Sequence, residues 1–156
     1  GVTPSVFHQG THGAVSDITE AAAWKLLGGG RAAQQLAGDL SKWTAQHKAI
    51  NLILHSEGAI IGKNALNIFA RSGGQLVEGS RLIVFGSAVS KSALQAALLR
   101  AGGSALNFLF KANAGDLVHA LTANINPVRT VYAAGATMLK GFEEHSLSSY
   151  YKRAGQ

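Results

Sequence analysis

The sequence predicts an α/β domain: a mostly parallel central sheet of about five strands, with helices on both faces. Short apolar segments alternate along the chain with longer segments of helical periodicity. The strand-like segments at 49–55 and 81–86 are mostly apolar, as strands of a buried parallel sheet are. Nineteen glycines and only two prolines suit the many tight turns between such elements.

Length and composition predict a single domain, residues 1–156, with a core of its own. Hydrophobic residues make up 47% and charged residues 14%, which is typical of a globular chain and not of a disordered one. No apolar run is long enough to span a bilayer, because Arg100 and the Gly102-Gly103 pair interrupt the longest candidate. The absence of cysteine excludes disulfides, thiolate metal sites and cysteine nucleophiles.

The first half of the chain predicts two strands and three helices. Ser16 is placed to cap the first helix, which stops at the glycine run 28–30. In the second helix, Leu36, Leu40 and Trp43 recur at helical spacing and predict a side that faces the core. The predicted segments are, in order, a strand at residues 5–9, helices at 16–27 and 31–47, a strand at 49–55 and a helix at 59–71.

The second half of the chain continues the alternation. Glycines at 73–74 end the helix at 59–71, glycines at 102–103 end the helix at 90–99, and Pro127 comes directly before the last strand. The predicted segments are a strand at residues 81–86, a helix at 90–99, a strand at 106–111, a short helix at 117–123, a strand at 128–133 and a closing helix at 146–153.

The stretch 49–61 carries the first sign of chemistry. An apolar run ends at His55-Ser56-Glu57-Gly58, and a helix follows at once. This pattern of strand, sharp turn and helix is typical of a nucleophile elbow, which presents a serine hydroxyl above the carboxyl end of a sheet. The amide of Glu57 is then expected at a helix N-terminus, where developing negative charge is stabilised. Gly58 is expected to let this helix pack close to the strand.

The elbow pattern, Gly-x-Ser-x-Gly, has one departure in this chain. Leu54 stands in place of the first glycine, and its side chain is expected to crowd the turn. The simpler interpretation is a strand-to-helix turn that Ser56 caps.

Other strand ends are predicted to bring polar groups to the same edge of the sheet. The turn at 9–11 follows the first strand, Asp116 follows the strand at 106–111, and His145 lies after the last strand. Sites in parallel sheets form at the carboxyl ends of the strands. A serine hydroxyl needs a base in contact with it, and a histidine oriented by a carboxylate serves this purpose. The chain order Ser56, Asp116, His145 therefore predicts a catalytic triad.

The chain resembles a small lipase-like α/β-hydrolase domain. The resemblance is carried by His55-Ser56-Glu57-Gly58, by Asn113-Ala-Gly-Asp116-Leu-Val118, and by Glu144-His145-Ser146-Leu147 ahead of the aromatic pair Tyr150-Tyr151. It covers nearly the whole chain, although the strands that precede the oxyanion loop in full-length relatives are missing. The resemblance implies a minimal version of that fold.

The activity that this resemblance implies is hydrolysis of an acyl ester or of a lipid such as a phospholipid. Ser56 would attack the carbonyl, His145 would transfer the proton, and Asp116 would orient His145. No metal or organic cofactor is needed for this chemistry. The oxyanion would be held by the backbone amide of Glu57 and by one from the turn Gln9, Gly10 or Thr11.

The histidines and the triad partners each have an alternative interpretation. Asp116 also fits as the cap of the helix that it begins, and His145 as a residue at a helix start. His55 and Gly58 are expected to support the site without reacting, and His119, one helical turn after Asp116, is the main rival base. His8 and His12 have a spacing that would suit zinc on a helix. Since they straddle a glycine after a strand, no metal site is predicted.

The net charge of +6 suggests anionic partners. A basic, cysteine-free chain that begins at Gly1 without methionine resembles the C-terminal effector domains of exported bacterial toxins of the contact-dependent growth inhibition type. That resemblance implies a piece of a larger protein, secreted or delivered into a target cell, and a cognate immunity protein with an acidic surface. Two alternatives stay open: a toxin domain that acts on nucleic acid, and an inactive hydrolase-like binding module. The basic residues are scattered singly, which favours a solvated surface over a nucleic-acid site.

Overall fold

The computed structural model describes residues 30–112. This part of the chain contains, in order, α1 (Gly30–Ala45), β1 (Asn51–His55), α2 (Gly58–Arg71), β2 (Arg81–Phe85), α3 (Lys91–Arg100), a 3-10 turn (Ala105–Asn107) and β3 (Phe108–Lys111). The strands predicted at 5–9 and 128–133, and the helices predicted at 16–27, 117–123 and 146–153, lie outside the described residues.

The three strands form one parallel sheet in the order β1-β2-β3. Their register pairs Leu54 with Val84 and His55 with Phe85, and Phe85 in turn pairs with Lys111. The three strands therefore end level with one another at one edge of the sheet. The α/β class and the parallel sheet predicted from the sequence are confirmed, with three of the expected five or so strands in the described residues.

The three helices pack against one face of this sheet. In α1 the buried residues are Ala33, Leu36, Ala37 and Leu40, a stripe at helical spacing, and Trp43 continues it half-buried against the core. Leu54, Leu82 and Val84 supply the strand side of the same core. The helix side is completed by Ile60, Leu66 and Phe69 from α2 and by Leu94 and Leu98 from α3.

The other face of the sheet carries a row of apolar side chains that pair across the strands. Ile53 pairs with Ile83, and Ile83 pairs with Leu109. Ile53 is 54% exposed and Leu109 is 44% exposed, although both belong to strands. The expectation of helices on both faces is therefore met on one face only within residues 30–112.

Each helix ends in the same hydrogen-bonded turn. After α1, the amide of Lys48 donates to the carbonyl of Trp43, and that of His47 donates to Thr44. The same pair of hydrogen bonds follows α2 and α3. Gly73 and Gly102 each donate one bond of the pair and have positive φ, and both helices end where the glycine pairs in the sequence predict. His47 occupies the same position after α1 with φ 54°, so a non-glycine residue adopts the left-handed conformation there.

The start of the third strand differs from the prediction. The sequence predicts a strand at 106–111, but Leu106 and Asn107 lie in the 3-10 turn. The hydroxyl of Ser104 accepts the amide of Leu106 at 3.2 Å, and its carbonyl accepts the amide of Asn107 at 3.1 Å. These two bonds close a turn that apolarity alone does not reveal, and they leave Leu106 96% exposed.

Among the helices of residues 30–112, none combines the length and the hydropathy that crossing a membrane requires.

Candidate active site at the end of strand β1

Ser56 lies where the sequence predicts it, in the two-residue turn between β1 and α2. Its φ is +52°, in the left-handed region. For a residue with a Cβ this conformation costs roughly 1–2 kcal/mol, and residues of this kind gather at functional sites. A strained serine between a parallel strand and a helix is the backbone geometry of a nucleophile elbow.

Three backbone hydrogen bonds hold Ser56 in this conformation. Its amide donates to the carbonyl of Phe85 at 3.2 Å and so extends the ladder between β1 and β2. Its carbonyl accepts the amide of Ala59 at 3.1 Å, in the first turn of α2, and that of Ala88 at 3.3 Å. The strand, the helix and the neighbouring loop therefore all constrain one residue.

The neighbouring strand ends in the same way, with a glycine. Gly86 follows Phe85 as Ser56 follows His55, and His55 and Phe85 are partners in the register. Gly86 has φ +50°, and its amide donates to the carbonyl of Lys111 at 3.1 Å, just as the amide of Ser56 donates to Phe85. Glycine adopts this conformation without strain. At the end of β1 the chain instead carries a residue with a hydroxyl, at an energetic cost.

The departure from the glycine pattern at Leu54 does not crowd the turn. Leu54 faces the helical layer and is 6% exposed. A Cβ added at Gly62, one turn into α2, would overlap Cδ1 and Cδ2 of Leu54. The close approach of helix and strand therefore occurs at Gly62. The expectation that Gly58 permits it is wrong, because a Cβ at Gly58 would meet no atom of β1, or of any other part of residues 30–112, within 4 Å.

The residues on either side of Ser56 are half-buried. His55 is the last residue of β1 and alternates with Leu54, so it lies on the face of the sheet opposite the helices. Glu57 stands at the N-cap of α2 with helical φ and ψ, and its side chain makes no capping hydrogen bond. The amides of Ala59 and Ile60, in the first turn of α2, donate to the carbonyls of Ser56 and Glu57, so the start of the helix is tied to the turn that carries Ser56.

The loop between β2 and α3, residues 86–90, lies beside the turn that contains Ser56. Ser87 is fully buried, and its hydroxyl donates to the carbonyl of Val89 at 2.6 Å and accepts the amide of Val89 at 2.9 Å. Ala88, also fully buried, donates the hydrogen bond to Ser56. Sequence reasoning missed this loop; its signal is the Gly-Ser pair directly after a buried strand, at the edge where sites form.

The remaining predicted site residues lie outside the described residues. These are the triad partners Asp116 and His145, the rival base His119, the oxyanion turn Gln9, Gly10 and Thr11, and the histidines His8 and His12. Of the predicted constellation, the structure describes His55, Ser56, Glu57 and Gly58.

Within residues 30–112, no three His, Cys, Asp or Glu side chains are grouped so that they could hold a metal ion. In comparisons with known proteins, no family model, no curated protein and no solved structure matches the chain.

Proposed function

We propose that the chain is a serine hydrolase of the esterase or lipase type, with Ser56 as its nucleophile. The observation that supports this most strongly is the left-handed conformation of Ser56 beside the equivalent Gly86. If this turn required only the left-handed backbone conformation, glycine would adopt it with less strain, as Gly86 does at the end of β2. A serine that bears the strain suggests that its hydroxyl is used.

The proposed reaction proceeds through an acyl-enzyme. The Oγ of Ser56 attacks the ester carbonyl carbon while the imidazole of His145 takes the hydroxyl proton. The bond to the alcohol breaks, and His145 returns the proton to the departing oxygen. Water then attacks the acyl-enzyme with His145 again as base, which releases the carboxylic acid and restores Ser56. Asp116 orients His145 and stabilises its charged form.

The tetrahedral intermediate carries a negative oxygen that needs hydrogen-bond donors. We assign one of them to the amide of Glu57, since it follows the nucleophile at the start of a helix of 14 residues. The second donor is assigned to the turn Gln9, Gly10 or Thr11. Backbone donors explain why the side chain of Glu57 has no part in the proposed mechanism.

A serine-directed fluorophosphonate tests the proposal without knowledge of the substrate. The hydroxyl of Ser56 attacks phosphorus and displaces fluoride, which leaves a stable phosphonyl-serine that mass spectrometry can locate. Ser56→Ala should abolish labelling. Ser41→Ala is the matched control, because Ser41 lies on α1 and its hydroxyl bonds to the carbonyl of Ala37. Equal labelling of wild type and Ser56→Ala would refute the assignment.

The same reagent separates the candidate bases. His145→Ala should slow labelling by about 100-fold or more, as expected on removal of a general base. His119→Ala should label at the wild-type rate if His145 is the base, and the reverse result would exchange their roles. A folded wild-type chain that is not labelled would favour the two alternatives, a nuclease toxin or an inactive binding module.

We further propose an effector role, with delivery into a target cell and an acidic immunity protein as partner. The charge of +6 supports it. The described residues add exposed arginines at the C-terminal ends of two adjacent helices: Arg100 donates to the Asn67 side chain and Arg71 to the Asn67 carbonyl. The ion pair within residues 30–112 joins Lys42 to Asp39. It includes neither Arg71 nor Arg100, so both arginines keep their charge available for an acidic partner.

A further inference from the structure

Hydrogen bonds hold the β2–α3 loop in a defined path, which its sequence alone does not predict. Ser87 and Ala88 are both fully buried in a loop at the edge of the sheet. Burying a hydroxyl in this way is unfavourable unless it is hydrogen-bonded, and that of Ser87 both donates to and accepts from the backbone of Val89. The two bonds fix the path of the loop from Ser87 to Val89.

The residue held between these two bonds is Ala88, whose amide bonds to the carbonyl of Ser56. The carbonyl of Ser56 lies in the same peptide plane as the amide of the next residue, Glu57. The position of the loop therefore restricts ψ of Ser56 and the direction of the amide of Glu57. In this chain of contacts Ser87 acts on Ser56 through Ala88.

We propose that Ser87 is a positioning residue, which holds the β2–α3 loop so that Ala88 keeps Ser56 left-handed and the amide of Glu57 aimed at the oxyanion. This inference rests on the proposed hydrolase function for its catalytic consequence. Its structural part, that the loop enforces the conformation of Ser56, stands on the hydrogen bonds alone.

Ser80 provides a matched control for Ser87. Ser80 is 4% exposed, accepts the amide of Ile50 at 3.0 Å and donates to the carbonyl of Val77 at 2.6 Å. Both serines are thus buried, and each hydroxyl accepts one backbone amide and donates to one backbone carbonyl. Ser80 precedes β2 and Ser87 follows it, so they lie at opposite ends of a strand of five residues, which spans about 16 Å.

The first experiment compares fluorophosphonate labelling rates at a temperature where all variants are folded. Ser87→Ala should slow labelling of Ser56 by about 10-fold to 100-fold, because a small displacement of a reacting group has an effect of this size. Ser80→Ala should lose similar stability and keep the wild-type rate. Ser87→Cys, which keeps a weaker donor, should be intermediate, and it replaces Ser87→Ala if that variant does not fold. Equal rates for the Ser87 and Ser80 variants would overturn the positioning role.

The second experiment needs no activity. Ser56→Gly should raise the denaturation midpoint, since glycine relieves the left-handed strain. In a Ser87→Ala background this rise should shrink, because the loop no longer enforces the conformation. An unchanged rise would overturn the inference. If wild type is not labelled at all, the hydrolase function fails, while the double-mutant comparison still decides whether the loop constrains Ser56.

Discussion

Ser56 has a backbone conformation that favours glycine, so replacing it separates stability from activity. Ser56→Gly should be more stable than Ser56→Ala by about 1 kcal/mol, because only glycine is unstrained at φ +52°. Both variants should lack labelling. Urea denaturation of the two variants measures the difference. Equal stabilities would mean that the turn relaxes when the hydroxyl is removed.

His47 is the other non-glycine residue with positive φ in residues 30–112. It is exposed in the turn that ends α1, away from the proposed chemistry. His47→Gly should therefore stabilise the chain by about 1 kcal/mol and leave labelling at the wild-type rate. A change in labelling would contradict the view that strain at Ser56 is the functional one. The measurements are the urea midpoint and the labelling rate.

The contact between β1 and α2 depends on Gly62 and Leu54. Gly62→Ala should destabilise the chain by about 1–3 kcal/mol, because the added methyl group overlaps the buried side chain of Leu54. In a Leu54→Ala background the same substitution should cost much less, since the overlapping atoms are gone. Gly38→Ala is the control: Gly38 is exposed within α1 and has open space around it, so alanine there should stabilise by about 1 kcal/mol.

At the level of elements, the sequence predicts a strand or helix correctly where apolar spacing and glycine breaks agree. The glycines after α2 and α3 mark the ends of those helices, and the apolar runs 49–55 and 81–86 contain the strands Asn51–His55 and Arg81–Phe85. His47 gave no such signal, because its left-handed conformation follows from the end of the helix and not from its own preference. The turn at Leu106 was missed because the hydroxyl of Ser104, and not hydrophobicity, determines it.

The site was predictable to the extent that it follows from one local pattern. The strand, turn and helix around Ser56 can be recognised in the sequence, and the structure adds the strain at that residue. The roles of Leu54 and Gly58 were misjudged, because which residue meets the helix depends on the packing of β1 against α2. The proposed contribution of Ser87 comes from the loop after the neighbouring strand β2, and such contacts are not visible in the order of residues.

For the whole molecule, the apolar row Ile53, Ile83 and Leu109 tests the predicted second helical layer. The sequence predicts helices at 16–27 and 146–153, outside the described residues. If helices cover both faces, Ile53→Ser and Leu109→Ser should each destabilise the chain by about 1–3 kcal/mol. Leu106→Ser is the control, since Leu106 is 96% exposed in the 3-10 turn and should change stability by less than about 0.5 kcal/mol. If Ile53→Ser and Leu109→Ser both change stability as little as Leu106→Ser does, this face of the sheet is open.

The glycine that ends β2 repeats the backbone geometry of the turn that carries Ser56. Gly86 repeats the backbone of Ser56 one strand away, a shift of about 4.8 Å across the sheet. A chain with Ser56→Gly and Gly86→Ser would carry its hydroxyl on the equivalent turn of β2, at a position that is buried in this structure. Such an exchange would show whether the proposed nucleophile depends on its strand as well as on its left-handed turn.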